Sequence, residues 1–336
     1  RTTGTDFAGP VAYKDENGRK RKGYILIFTC ATIRGIHIEL TKDMTTFEFL
    51  LAFRRFVSRF PTVELLISDN GLTFKRAAAE FRIMFKHLQK ENVSSWFSQN
   101  GINWEFITEK SPWRGAIYER LIQVVKRSLR KLLRQRVPYF RELETILLEI
   151  TAMVNSRPLT AVAASPEDLR ALSPNNFIFP YPARTGLPTT KPDREQQNKR
   201  EDKAVVFSER HQYLQNVLDT YWKRFNAEYL TFLRSLHYQK PSETTKFSAG
   251  DVCILHDDSP NRATWPLGRI ISVYGGESTD KRKRSCVVQL ANGKTVNRPI
   301  QLLYKLEIDA EKQISGEADQ PKLHLTSQAT STGSAK

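Results

Sequence analysis

An α/β fold with a mixed sheet, followed by a helical linker and a small all-β unit, is what this 336-residue sequence predicts. Three observations predict it. β-patterned segments crowd the first 40 residues, strand-like and helix-like segments alternate from there to about residue 157, and short β-rich segments separated by turns return after residue 246.

The opening strands are Thr5 to Tyr13, Tyr24 to Thr29 and Gly35 to Leu40, with the polar stretch Lys14 to Lys22 as a hairpin turn. Thr45 to Phe60 carries Phe49, Leu50, Phe53, Phe56 and Val57 at helical spacing, and Pro61 ends it. A short buried strand, Val63 to Ser68, runs into Asp69-Asn70-Gly71, and an amphipathic segment follows from Phe74 to about Lys90. Ile102 to Ile107 is a further strand. Pro112 suits the first turn of a long helix from Trp113 to Arg136, and Pro138 separates it from another, Tyr139 to Asn155. Strands that are first antiparallel and later alternate with helices give a mixed sheet with helices on its faces, so one domain covers residues 1–157.

Residues 158–208 are rich in Pro, Asn, Thr and charge and form a linker. Residues 209–240 form a helix whose apolar stripe (Tyr213, Val217, Leu218, Tyr221, Trp222, Phe225, Tyr229, Phe232) needs a surface to pack on. Residues 246–306 give strands at Val252 to Leu255, Leu267 to Tyr274, Ser285 to Leu290 and Thr295 to Asn297, a small barrel or sandwich with an Asn292-Gly293 turn. Residues 307–336 are polar and expected to be disordered.

Lys and Arg number 52 against 36 Asp and Glu, a net charge of +16 that attracts polyanions, nucleic acid first. The three cysteines, Cys30, Cys253 and Cys286, do not form a disulfide framework, and no His/Cys spacing suits a structural zinc. No apolar run is long enough for a membrane span. Arg1 rather than Met leads the sequence, which suggests a piece of a longer precursor.

Three carboxylates sit where a metal site could form: Asp6 in the first strand, Asp69 at the end of a buried strand, and Glu119 on the helix after Pro112. Singly, each has a plain structural explanation. Asp-Asn-Gly is commonly a tight turn, a Glu near a helix start complements the dipole, and an Asp in a strand can have a local partner. Jointly, hard oxygen ligands at the ends of neighbouring elements suit Mg²⁺ or Mn²⁺, and two such ions about 4 Å apart can clamp the attacking and leaving oxygens of a phosphoryl displacement. No phosphate-binding GxxxxGK[ST] loop or Ser/His or Cys/His pair offers a rival chemistry. From Trp113 to Arg136 there are eight basic residues against one acidic, Glu119. Gln123, Lys126, Arg127 and Arg130 share its face and could hold phosphates, whereas Ile117, Leu121, Val124, Val125, Leu129 and Leu132 would face the core. The rival is a solvated basic helix face.

Asp6-Phe7-Ala8-Gly9-Pro10, Ser68-Asp69-Asn70-Gly71 and Pro112-Trp113-Arg114-Gly115-Ala116-Ile117-Tyr118-Glu119-Arg120 resemble the three catalytic blocks of retroelement integrases, with the best match to the BEL/Pao group of LTR retrotransposons. Asn155-Ser156-Arg157-Pro158-Leu159-Thr160, Trp265-Pro266-Leu267-Gly268-Arg269-Ile270 and Arg298-Pro299-Ile300 resemble further blocks of that group. The resemblance implies an RNase H-like core and a small SH3-like barrel. It maps Asp6, Asp69 and Glu119 onto an acidic triad that binds two Mg²⁺ or Mn²⁺ ions and no other cofactor. The implied reactions are trimming of the element's 3′ ends by water and joining of the freed 3′-hydroxyls to host DNA. The implied setting is a homo-oligomer acting in the nucleus after assembly in cytoplasmic virus-like particles. Two departures stand out: 49 residues separate Asp69 from Glu119, pointing to extra structure around Glu91 to Gly101, and Ala116 stands where relatives commonly have Gly. The zinc-binding domain that precedes such cores is not in this stretch.

Residues 246–306 hold ten basic and five acidic residues, with Lys281, Arg282, Lys283 and Arg284 as a loop cluster suited to tracking phosphates without reading sequence. A generic structural barrel is the alternative for this unit. For the whole chain the alternatives are a non-catalytic DNA-binding protein derived from such an element, and a ribonuclease H that hydrolyses without joining.

Overall fold

The computed structural model describes residues 2–68, 73, 75–77, 79, 102–106, 116–132, 137–161, 169, 171–179, 202–237, 247–257, 262–275 and 283–308. Asp69, most of the helix expected from Phe74, the stretch 91–101, most of the linker, Lys281 and Arg282, and the tail beyond Ile308 lie outside the described residues.

The first sheet follows from the alternation of its strands. β1 (Thr2–Lys14), β2 (Lys20–Cys30) and β3 (Ile36–Thr41) form an antiparallel meander. The β1–β2 turn closes where the Asp15 backbone N–H donates to the Arg19 carbonyl at 3.0 Å and the Asp15 carboxylate accepts from Arg21 Nε at 3.0 Å. β4 (Leu65–Ser68) and β5 (Asn103–Phe106) add in parallel on the other side of β1, giving the order β3-β2-β1-β4-β5, a mixed sheet as the sequence predicts. β1 extends past the expected Thr5–Tyr13 at both ends, where Thr2–Gly4 pair with β4 and Lys14 with Lys20, and a bulge interrupts it between Ala8 and Val11. At the bulge Gly9 has φ +143°, and a Cβ there would stand 3.0 Å from Tyr24 Cδ1, so only glycine fits without strain.

The two faces of the sheet carry separate cores. Leu26 and Phe28 face α1 (Thr46–Arg59), whose Phe49, Phe53 and Phe56 pack onto them; the Phe28 and Phe56 rings stack with centroids 4.1 Å apart. Each such buried aromatic contributes roughly 1.5–3 kcal/mol from area alone. Thr45 caps this helix by accepting the Glu48 N–H at 3.3 Å. Ile25, Ile27, Ile36, Ile38 and Leu40 face α2 (Ala116–Leu132) and α3 (Phe140–Asn155). α2 buries Leu121, Val124, Val125 and Leu129 as expected, and also Ile122 and Ser128. It is covered on two sides, by the sheet and by α5.

After the short strands β6 (Thr160–Ala161) and β7 (Ala171–Leu172) and the one-turn helix α4 (Pro174–Ile178), α5 runs from Asp202 to His237. It begins inside the stretch assigned to the linker. Leu218, Tyr221, Trp222, Phe225, Tyr229 and Phe232 of its stripe are buried, joined by Leu230 and Leu233. The surface it needs is supplied by α2, α3 and the C-terminal sheet. That sheet is antiparallel, with β8 (Val252–Leu255), β9 (Leu267–Gly275), β10 (Lys283–Leu290), β11 (Thr295–Pro299) and β12 (Leu303–Lys305) in the order β11-β10-β9-β8-β12. Among the described residues no ladder joins β11 to β12, so the sheet is open at those two edges. It has a core of its own around Phe247, Cys253, Ile270, Cys286 and Val288. Burial raises the Cys253 thiol to about 12, and nearby Cys286 adds to the effect, which keeps it a neutral core residue.

The two sheets are tied together through a continuous apolar cluster that includes Ile254, Tyr304 and Leu306 beside the residues of α2, α3 and α5. Trp265 sits edge-on to Trp222 and Tyr229, at 5.0 and 5.4 Å between centroids, and Arg262 Nε pairs with Asp219 at 2.9 Å. Glu307, which the sequence reading assigns to the tail, is buried. It accepts from Arg34 at 2.9 Å, from Arg157 at 3.1 Å and from the Tyr229 hydroxyl at 3.0 Å. Burial pushes its carboxyl up, and the Arg157 and Arg34 guanidinium groups with the hydrogen bonds from Arg34 and Tyr229 outweigh that, holding it below the ordinary carboxylate value. Among the described residues no helix is long and apolar enough to cross a membrane.

Candidate active site

Asp6 lies in β1 directly opposite Ile27 of β2, so its side chain leaves the sheet on the face that α2 covers. The strand pattern dictates this: Ala8 shares the face and packs against the same cluster, and Phe7, one residue on, packs against the α1 side. Asp6 is about one-third exposed, with side-chain relative accessibility of 36%. Its Oδ2 accepts from Lys126 Nζ of α2 at 2.5 Å, and the lysine, at 17%, is the more enclosed partner.

α2 has buried residues on the sheet side and a basic outer surface. Arg120, Gln123, Arg127 and Arg130 are exposed, and Arg127 comes within 3.9 Å of Glu228 on α5. Lys126 differs from the others on this helix. Its stem lies over β1, and together with Leu129 and Arg130 it lines a groove whose other wall is Ala8, Gly9, Pro10, Val11 and Ala12, next to Asp6. The sequence spacing placed Lys126 beside DNA; its direct contact with Asp6 was not visible there. The seven-residue step from Glu119 to Lys126, two helical turns, is the signal that links the two.

Of the predicted triad, Asp6 is fully described, Glu119 is described as part of α2 with its side chain outside the described residues, and Asp69 is outside them. β4 ends at Ser68, one residue before Asp69, and pairs with β1 in the register Thr2–Leu65, Thr3–Leu66 and Gly4–Ile67. In the C-terminal sheet Arg284 is exposed, Lys283 opens β10 with its side chain outside the described residues, and Lys281 and Arg282 lie outside them altogether. Among the described residues no group of three or more His, Cys, Asp and Glu is placed to hold a metal. Asp6 offers a hard oxygen donor of the kind a divalent ion takes, and Lys126 now occupies one of its two oxygens, so an ion binding there would compete with the ammonium.

Two residues of one additional motif block, Asn155 and Arg157, have structural roles. Asn155 closes on the peptide of Ile36 at the edge of β3, accepting its N–H and donating to its carbonyl, both at 2.8 Å. Arg157, fully buried, donates to Glu307, to the Val154 carbonyl at 3.1 Å and to the Arg34 carbonyl at 2.7 Å. Neither touches Asp6.

Among solved structures, the chain is similar to one from the simian T-cell lymphotropic virus intasome in complex with PP2A regulatory subunit B56 gamma, at 10% identity and a TM-score of 0.34, over 91% of this chain and 78% of that one. It is also similar to the HTLV-2 integrase catalytic core domain in complex with magnesium (14% identity, TM-score 0.29, 49% of this chain and 89% of that one). The catalytic core domain of BIV integrase aligns at 14% identity with a TM-score of 0.32, over 53% of this chain and 92% of that one. No curated protein matches the sequence. A family model described as a family of unknown function (DUF5641) matches residues 209–306, which run from within α5 to just past β12.

Proposed function

We propose that the chain is an integrase of the retroelement type, a metal-dependent polynucleotidyl transferase in which Asp6, Asp69 and Glu119 hold divalent cations. One observation carries the reading: Asp6, on the central strand of the mixed sheet, is in contact with Lys126 of the same helix that bears Glu119. Helical periodicity sets position 119 on the stripe of Lys126, about 10 Å along the axis. β4, which pairs in parallel with the strand of Asp6, ends at Ser68, one residue before position 69 in the sequence. The pairing of β4 with β1, and the packing of α2 against β1, support reading the three motif blocks as parts of one site.

Bound there, divalent ions would polarise a phosphodiester and activate water or a 3′-hydroxyl for in-line attack. The chain's own residues supply the rest. Asp6 would anchor a cation through its carboxylate, and Lys126 and Arg130 would receive backbone phosphates in the groove beside Pro10. Gln123 and Arg127 would extend that contact along α2. The C-terminal sheet, proposed as an SH3-like barrel carrying the sequence cluster Lys281, Arg282, Lys283 and Arg284, would bind DNA without base readout. The expected partners are element-end DNA and host DNA, with the chain acting as a homo-oligomer in the nucleus.

A strand-transfer assay with Mg²⁺ or Mn²⁺ on a labelled element-end duplex tests this reading. Joined product from the wild type, lost in Asp6→Asn, Asp69→Asn and Glu119→Gln while DNA binding persists, supports it. Hydrolysis of an RNA strand in a hybrid with no joining would point to a ribonuclease H instead. The Lys126–Asp6 pair also favours a second reading, a DNA-binding protein without turnover, because an ammonium already neutralises Asp6. DNA binding with no product under any metal condition would support that one.

A further inference from the structure

We propose that Lys126 is a displaceable counter-ion that couples metal binding to DNA binding. It neutralises Asp6 when no cation is bound and is handed to a DNA phosphate when one arrives. This rests on the proposed function only in taking Asp6 as a cation ligand.

The geometry defines the starting end of the exchange and offers a groove for the other. Lys126 Nζ lies 2.5 Å from Asp6 Oδ2 in a site only partly open to water. A partly exposed ion pair of this kind is weak enough for a divalent ion to displace it. Once a dication holds the carboxylate, the ammonium has lost its anion and faces a like charge. A place open to it is the groove that Lys126 and Arg130 already line with Ala8, Gly9 and Pro10. Two cations on one wall of a groove beside a metal site suit an anionic oxygen, and a DNA backbone supplies those at regular intervals. Metal therefore raises the value of a phosphate at Lys126, and by thermodynamic reciprocity DNA raises the affinity for metal.

Arg127 is the internal control. It lies on the same helix, carries the same charge and approaches Glu228 rather than Asp6. Removing it also takes one positive charge off the helix, without touching the contact with Asp6.

The test uses the full chain and two readouts apart from turnover: Mn²⁺ affinity by calorimetry without DNA, and affinity for a fluorescent duplex with and without Mn²⁺ at fixed ionic strength. Lys126→Met should bind Mn²⁺ several-fold more tightly than wild type, because the competing ammonium is gone. It should also lose most of the Mn²⁺-driven gain in DNA affinity. Arg127→Met should weaken DNA binding about equally with and without Mn²⁺ and leave Mn²⁺ affinity near wild type. If the two variants alter Mn²⁺ affinity and the coupling alike, only bulk charge matters and the role of Lys126 is overturned. Asp6→Asn separates the two layers. Mn²⁺ binding insensitive to Asp6→Asn removes the metal site itself and the inference with it. Mn²⁺ binding that depends on Asp6, with equal effects from Lys126→Met and Arg127→Met, overturns the inference alone.

Discussion

Glu307 and Arg157 stand 150 residues apart in sequence and meet at 3.1 Å in the interior, the arginine 0% and the glutamate 2% exposed. The pair joins the end of α3 to the end of the C-terminal sheet, with Arg34 from the β2–β3 connection and Tyr229 from α5 completing the set. Four separate parts of the chain are thereby held at one point. Removing one member leaves charge buried without its partner, a loss of roughly 3–5 kcal/mol in comparable settings. Glu307→Ala should therefore lower the unfolding free energy by that order, and denaturant unfolding followed by Trp fluorescence measures it. Glu307→Gln, which keeps the shape, should lose less.

The same carboxylate gives a pH dependence with a definite sign. Its folded-state value is depressed below the ordinary value of 4.5, so its contribution is fully present above that value and is lost as pH falls through the depressed one. Wild type should lose stability over the acid range below about pH 4.5 more steeply than Glu307→Gln, whose side chain does not titrate. Thermal melts of both proteins across that range make the comparison.

Asn155 supplies both hydrogen bonds that the Ile36 peptide makes at the edge of β3. Asn155→Ala leaves a buried N–H and a buried carbonyl without it, at about 1–3 kcal/mol for each unsatisfied group. Faster amide exchange confined first to Ile36 and its neighbours should accompany the loss.

Gly268 has no room for a side chain. A Cβ there would overlap Val288 Cγ1 and come within 2.9 Å of Leu255 Cδ1 and 3.2 Å of the Gln289 carbonyl oxygen. Gly268→Ala should destabilise the C-terminal sheet by about 1–3 kcal/mol, the range for overpacking a close-fitted core, and the drop should register in the global unfolding curve.

Much of this fold was legible in the sequence, and the exceptions share a cause. Helical spacing located α1 and α3, strand patterning located β1, β3 and the β8–β10 strands, and a continuous apolar run located β2, which is buried on both faces. Ile122 and Ser128 escaped because α2 is covered on two sides, and a single-face reading of a helix fails there. Glu307 looked like the start of a polar tail. Nothing near it in sequence announces Arg34, 273 residues away, and an isolated acidic residue carries no mark of a buried partner. In the candidate site, Asp6 and the basic face of α2 were readable from motif and spacing. The Lys126–Asp6 contact was not, since it depends on how the helix lies across β1.

Most direct for the central claim is a crystal structure of the chain soaked in Mn²⁺, with the ions located by anomalous scattering. An ion on Asp6 Oδ, with the carboxylates of Asp69 and Glu119 in the same coordination sphere or its neighbour and Lys126 withdrawn from Asp6, is the predicted result. Asp6 still paired with Lys126 at saturating Mn²⁺, with Asp69 or Glu119 too far away to share a cation with it, would contradict the claim.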